Sequence, residues 1–247
     1  MGPILPDKLA IVFLVSIETA LWGENCWVLA REESGPALVI DPGLGAADAV
    51  GQLCADQDLT VTAVLASHGH LDHVADAAQL ADRWDAPLYI HPFDRELLAD
   101  PAAGLDPAMR SVAAQLAGPE GWHEPKTVRD LTDRVTFAAA GFDVTVLWAP
   151  GHRPGCVIFR VPAEDRLLAF TGDVLFAGSI GRTDLPGGSM PQMAASLRDV
   201  VLGAGPDGQL HLPDDAIVLP GHGPHSTMAA ERASNPYLQP NFLENYA

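Results

Sequence analysis

The chain has 247 residues, nearly half of them apolar, with 14 basic and 32 acidic side chains and a formal charge of −18. That length suits one large domain with a substantial buried core, and the apolar content excludes a disordered or fibrous chain. Such a surface repels phosphate backbones and anionic lipid, so neither nucleic acid nor a membrane is an expected partner, and the acidity reads as a solubility trait.

Short β-rich runs ending in Gly, Pro, Asp or Ser predict strands at 9–17, 26–31, 37–41, 62–67 and 87–90. The run at 9–17 is too short to span a bilayer, follows a single Lys and leads into no small-residue cleavage site, so the expectation is a soluble cytoplasmic protein. Helices are predicted at 46–57, 74–83, 93–98 and 107–116. Residues 100–124, with Pro101, Gly104, Pro107, Gly118, Pro119 and Gly121, read as an insertion between two halves. It is either a lid over a site or, the favoured reading, a surface excursion. Later strands are predicted at 135–138, 143–148, 156–161, 166–171 and 216–219, and helices at 190–201 and 227–233.

Most of the strand runs are continuously apolar, which predicts strands covered on both faces. Hairpins mix with crossovers and strands outnumber helices. The expected architecture is therefore α/β: a four-layer αββα sandwich of two mixed sheets with flanking helices, forming one domain over 1–247. Cys26, Cys54 and Cys156 are widely spaced and form no CxxC, so neither a disulfide framework nor a thiolate zinc cage is expected.

The chemistry is concentrated in Ser67-His68-Gly69-His70-Leu71-Asp72-His73, directly after an apolar run. Imidazole and carboxylate suit zinc and similar divalent ions. In extended chain His68 and His70 point to the same side, while Asp72 and His73 follow as the chain turns into a helix and can face a second ion. Three more strand ends supply completing ligands: His152 in Pro150-Gly151-His152, Asp173 in Thr171-Gly172-Asp173, and His222 in Pro220-Gly221-His222-Gly223. His91, His123, His211 and His225 read as lone surface histidines.

In order and spacing, this H-x-H-x-D-H run and its three completions resemble the metallo-β-lactamase superfamily. Within it, the chain is most similar to short glyoxalase II-like hydrolases of the hydroxyacylglutathione hydrolase type. That finer resemblance is carried by Asn25-Cys26-Trp27, Asp41-Pro42-Gly43, Gly172 to Phe176, Gly178 to Gly188 and Glu231 to Leu238. The resemblance implies His68, His70 and His152 on one metal, Asp72, His73 and His222 on the other, and Asp173 bridging them, with Asp72 and Asp173 counted as catalytic. It implies two divalent ions, zinc first, with iron or manganese as alternatives. Asp41 would orient the metal loop or serve as a plain turn-former before Pro42-Gly43. Arg182 would bind a carboxylate or carbonyl of the substrate, or else pair with Asp184. The chain departs from the family at Ser67, commonly Thr, and at Trp27, more usually Tyr. Some 25 residues follow His222, with Arg232 their only basic side chain, so the glutathione contacts of a full C-terminal helical domain are left open.

Two cations sharing a hydroxide imply hydrolysis of a carbonyl compound. A thiolate leaves without a general acid, because its parent thiol has a pKa of about 8.5. The expected substrate is accordingly a small-molecule thioester of the S-2-hydroxyacyl-thiol type. Cys156 lies close to His152 but reads as a buried strand residue rather than a nucleophile. Rival readings are an iron-dependent persulfide dioxygenase of the same fold and a lactonase or β-lactamase. The acyl group, the thiol carrier and the oligomeric state are not readable from these residues.

Overall fold

Along Asn25–Ala30 (β2), Trp27 and Leu29 face one side while Cys26, Val28 and Ala30 face the other, and all five are buried. The next strand, Gly35–Ile40 (β3), divides in the same way, with Leu38 and Ile40 opposite to Ala37 and Val39. A strand buried on both faces must be covered by two layers, which is why these runs are apolar throughout. The computed structural model describes residues 12–117 and 121–246.

The first sheet has the order β1-β2-β3-β4-β5-β6, where β1 is Phe13–Glu18, β4 Leu59–Leu65, β5 Leu88–Ile90 and β6 Val128–Asp130. Its β1–β2 and β2–β3 pairs are antiparallel, and the pairs from β3 to β6 are parallel. The second sheet has the order β12-β11-β10-β9-β8-β7, where β7 is Thr136–Ala139, β8 Phe142–Trp148, β9 Val157–Ala163, β10 Arg166–Gly172, β11 Ile217–Pro220 and β12 Ser226–Thr227. Only β10–β11 is parallel in this sheet.

Trp27, Leu29, Leu38, Ile40 and Leu65 of the first sheet meet Phe142, Val144, Phe159 and Phe170 of the second in the central layer. Each such side chain contributes roughly 1.5–3 kcal/mol by leaving water. Outside the first sheet lie Ala46–Gln57 (α1) and Ala77–Arg83 (α3), which bury Val50, Cys54 and Leu80. Outside the second lie the helix Met190–Ser196, its π-helical continuation Leu197–Val201, and the helix Met228–Ser234; these bury Met193, Leu197, Val201 and Met228. The fold is the expected four-layer sandwich of two mixed sheets.

Local departures have physical causes. The helix expected at 74–83 is two pieces, Leu71–Val74 (α2) and α3. The break falls at Asp76, whose N–H donates to Pro42 O at 3.0 Å and whose carboxylate accepts from Ala47 N at 2.9 Å. Those tethers hold the chain to the loop after β3 and stop the helix from running straight. The predicted helix at 93–98 is a 3₁₀ stretch, Pro92–Leu98, and the strands β6 and β12 are short edges that carry no apolar signal. Residues 9–11 of the first predicted strand lie outside the described residues.

The segment at 100–124 runs largely over the surface, with residues 106–111 exposed, but it is anchored at the metal motif. Leu105 and Ala113 are buried against Leu71 and Ala75 of the metal-motif helix, with Leu21, Leu44 and Trp122 packed around them. A Cβ on Gly104 would lie 3.1 Å from His70 Cδ2, so the segment is seated directly on that histidine. Residues 118–120 of it are outside the described residues. Among the described residues, no helix is long and apolar enough to cross a membrane.

Candidate metal centre

Strand polarity delivers the chemistry to one rim. β3 and β4 are parallel, as are β10 and β11, and β8 runs with β10 because both are antiparallel to β9. The C-terminal ends of β4, β8, β10 and β11 therefore release His68 to His73, His152, Asp173 and His222 toward a common point.

His68 Nε2, His70 Nδ1 and His152 Nε2 form a triangle with edges of 3.1, 3.2 and 2.7 Å. Ligands placed tetrahedrally at 2.0–2.1 Å from a cation stand about 3.3 Å apart, close to this spacing. Beside it, Asp72 Oδ2 lies 3.1 Å from His222 Nε2 and 3.6 Å from His73 Nε2. Asp173 faces both groups. Its Oδ2 is 3.4 Å from His152 Nε2, while its Oδ1 is 3.3 Å from His73 Nε2 and 3.7 Å from His222 Nε2. All seven sequence-predicted residues are brought together, and all but His222 are buried.

The donor set fits a pair of divalent cations. His73 Nε2 and Asp173 Oδ1 are buried without a hydrogen-bond partner, an unfavourable state that a cation between them would relieve. Burial holds His68, His70 and His152 below the ordinary histidine value, with neighbouring imidazoles adding to the effect at His68 and His70. Three neutral imidazoles with converging nitrogens are metal-ligand chemistry. Burial also opposes charge on His73 and His222, but the carboxylates beside them outweigh it and raise both. A positive charge is thus favoured at this second group, whether carried by protons or by a cation.

Outer partners fix the ring orientations. Asp41 Oδ1 accepts from Ser67 N and its Oδ2 from Ser67 Oγ, both at 2.6 Å, and Oδ2 also accepts from His73 Nδ1 at 3.0 Å. Asp41 therefore orients the metal-motif loop, beyond any role in the turn. Because the Ser67 hydroxyl donates to Asp41, it accepts from His68 Nδ1 at 3.0 Å, leaving the Nε2 lone pair of His68 free. His152 Nδ1 donates to Arg182 O at 2.6 Å with the same result.

It is thus the backbone carbonyl of Arg182 that touches the cluster. Its guanidinium makes a bidentate pair with Asp184 at 2.6 and 2.8 Å, which holds the exposed Asp184 carboxyl down to about 2. Burial pushes the Cys156 thiol well above its ordinary value, leaving no thiolate to act as a nucleophile. Of the histidines read as surface residues, two are buried. His91 stacks on Trp148 and accepts from Phe93 N, and His211 pairs with Arg134. An isolated histidine carries no sequence signal of an aromatic or guanidinium neighbour far along the chain.

Glu24 escaped the sequence reading, although it directly precedes Asn25-Cys26-Trp27. Its side chain is fully buried, 4.0 Å from His73 Nδ1, and neither oxygen has a hydrogen-bond partner. Burial raises its carboxyl well above 4.5, and Asp41 and Asp72 add to that against the pull of His73. Well below 4.5 the group keeps its proton in both folded and unfolded chains; as pH rises through that value the unfolded chain ionises first and the fold loses stability. Glu24→Gln removes that loss. In metal-free protein, the melting temperature of the variant is expected to rise relative to wild type between pH 4 and pH 8, and a constant difference would contradict the buried neutral carboxyl.

The family model of the Metallo-beta-lactamase superfamily matches residues 20–222. A Mycobacterium tuberculosis protein described as uncharacterized is 41% identical over 219 residues, covering 87% of this chain and 92% of its own length. The hydroxyacylglutathione hydrolase GloC of Haemophilus influenzae is 33% identical over 224 residues, covering 90% and 96%. Among solved structures, the BLEG-1 B3 metallo-beta-lactamase superposes with a TM-score of 0.73 at 31% identity, over 92% of this chain and 100% of that one. TTHA1623 in a di-iron-bound form does so with a TM-score of 0.69 at 33% identity and the same coverage.

Proposed function

The chain belongs to the metallo-beta-lactamase superfamily, and from that premise we propose that it is a metal-dependent thioesterase acting on small S-2-hydroxyacyl thiols. The observation that carries the reading is the split of the Asp173 carboxylate, one oxygen toward the three-histidine group and the other toward His73 and His222. In this reading His68, His70 and His152 hold one cation, Asp72, His73 and His222 hold the second, and Asp173 spans them. Zinc is the proposed metal, with iron and manganese as alternatives. Bound there, divalent ions supply Lewis acidity and bring the pKa of water from 15.7 toward about 7, so that hydroxide is available at neutral pH.

The chain's own residues do the positioning. Asp41 and the Arg182 carbonyl hold imidazole protons on the outer nitrogens and keep the inner lone pairs directed inward. Asp173 draws the two groups together, and the Gly104 turn covers one side of His70. Burial raises the Glu24 carboxyl, but the side chain is fully enclosed, so it is not presented to a substrate as a general acid. A thiolate leaving group needs no such proton, whereas an amide nitrogen does. The similarity to GloC, which extends over nearly the whole of both chains, supports the hydroxyacyl thioester as substrate. Arg182 is exposed on the loop that follows Asp173, and to meet a substrate carboxylate or carbonyl, the role proposed for it, its guanidinium must exchange its pairing with Asp184.

Zinc-loaded and iron-loaded protein should be assayed on S-lactoylglutathione, other thioesters, a β-lactam, a lactone and glutathione persulfide. Thioester turnover well above that of the other substrates is expected. Oxygen uptake on the persulfide by the iron form without thioester cleavage would overturn the reading, as would preferential opening of the lactam or lactone.

A further inference from the structure

Two residues outside the seven-residue cluster tie its loops together. Asp94 is fully buried on the 3₁₀ stretch Pro92–Leu98. Its Oδ2 accepts from the N–H of Gly69, the residue between His68 and His70, at 2.9 Å. Its Oδ1 accepts from Arg153 Nη2 at 3.0 Å and from Gly155 N at 3.1 Å, both just after His152. One carboxylate thus joins the two segments that carry the three-histidine group. The fit is close: a Cβ on Gly155 would lie 2.5 Å from Asp94 Cγ. Arg153 also donates to Pro186 O, which adds a third segment to the same brace.

Asn25 occupies the corresponding place for the other group. Its Nδ2 donates to Pro220 O at 3.2 Å and to Gly223 O at 2.9 Å, and its backbone N–H to Gly221 O at 2.7 Å. These bonds grip the loop on either side of His222. Ser16 Oγ donates to Asn25 Oδ1 at 3.1 Å and fixes which end of the amide faces the loop. Trp27 Nε1 adds a bond to Pro220 O at 3.1 Å.

We propose that Asp94 and Asn25 are separate positioning residues, Asp94 setting the cation affinity of the His68–His70–His152 group and Asn25 that of the Asp72–His73–His222 group. The inference rests on the two-cation reading above. Ligands must be held to about 0.5 Å to bind well, and a loop freed from its brace must be ordered when the cation arrives. Outer partners of this kind are typically worth 10–100-fold in metal affinity. Because the two braces share no atom, their losses should fall on different cations.

The test measures zinc affinity by chelator competition and zinc occupancy at each position by anomalous diffraction from crystals at limiting zinc. Asp94→Asn is expected to weaken zinc at the three-histidine position by about 10–100-fold and to change the other by less than about threefold. Asn25→Ala should do the reverse. Asp94→Asn combined with Arg153→Met removes the guanidinium that Asp94→Asn alone leaves buried without its carboxylate, and it should keep the same site-selective loss if the single variant does not fold. Circular dichroism and melting of the metal-free proteins report the fold separately. Equal weakening at both positions, or no change at either, would overturn the proposal. Wild-type protein that takes up fewer than two zinc ions would overturn the two-cation reading and this proposal with it.

Discussion

Asp173→Ala is expected to lower thioester hydrolysis by more than about 100-fold, the upper end for losing a mere outer-shell partner, and to leave fewer than two metal ions per chain. The carboxylate is buried, which alone would raise its pKa, but His73, His152 and His222 outweigh burial and hold it well below the usual carboxylate range. Its charged form is therefore favoured where it faces His73, His152 and His222. Alanine removes both oxygens at once, so each group loses its shared carboxylate and the attraction between the two positions. The main-chain bond from Gly181 N to Asp173 O at 3.1 Å is untouched, so the loop itself should persist.

His91→Ala makes the contrast. That histidine is as buried as Asp173 and stacks on Trp148 with planes 4° apart, but it lies outside the converging set. Its loss removes the side chain that caps Phe93 N and should cost about 1 kcal/mol of stability, with metal content unchanged. Metal-to-protein ratios, rates on S-lactoylglutathione and thermal melts separate the two variants. An Asp173→Ala protein that keeps two ions and its activity would remove the bridging assignment.

Gly221→Ala should also be severe, through a single methyl group. A Cβ at this position would lie 2.5 Å from Asp173 Oδ1 and 2.6 Å from His73 Cε1. The backbone has no freedom to retreat, because Gly221 N donates to Gly172 O at 2.9 Å and Gly221 O accepts from Asn25 N at 2.7 Å. The strain must therefore be taken up by Asp173 or His73. A misplacement of about 1 Å costs on the order of 10²-fold in rate. Expected are a drop of that size in kcat/KM and a weakened second cation, with the fold retained because the methyl projects among ligands and not into the apolar layers. Activity within a few-fold of wild type would mean that the cluster tolerates far looser geometry than its spacing implies.

Much of this protein is legible residue by residue along the chain. The strand runs are apolar because each strand is covered on both faces, so β2, β3, β8, β9, β10 and β11 fall within two or three residues of their predicted bounds. The helix at 46–57 is read to the residue, because apolar Ala46, Ala47, Val50 and Cys54 recur on one face. The seven converging residues are legible for a related reason. Four sit within six positions of one another, and the other three each follow an apolar run and a glycine, a pattern written into local sequence.

The braces were not legible. Asp94 meets Arg153 across 59 residues, and in sequence it is one more charged residue at the start of the helix predicted at 93–98. The break between α2 and α3, the seating of Gly104 on His70 and the burial of His91 likewise depend on partners from other segments.

By itself, then, the sequence determined the apolar strands, though not the short edges β6 and β12, that they stack in four layers, and which imidazoles and carboxylates are available to a metal. Only the tertiary structure decided which oxygen of Asp173 faces which group, that Arg182 contributes its carbonyl to the cluster while its guanidinium is taken by Asp184, and that Asp94 and Asn25 hold the loops. The physical reason is range. Side-chain periodicity and turn chemistry act between near neighbours, whereas a hydrogen bond between distant loops exists only once two sheets have packed and set their ends to within an ångström.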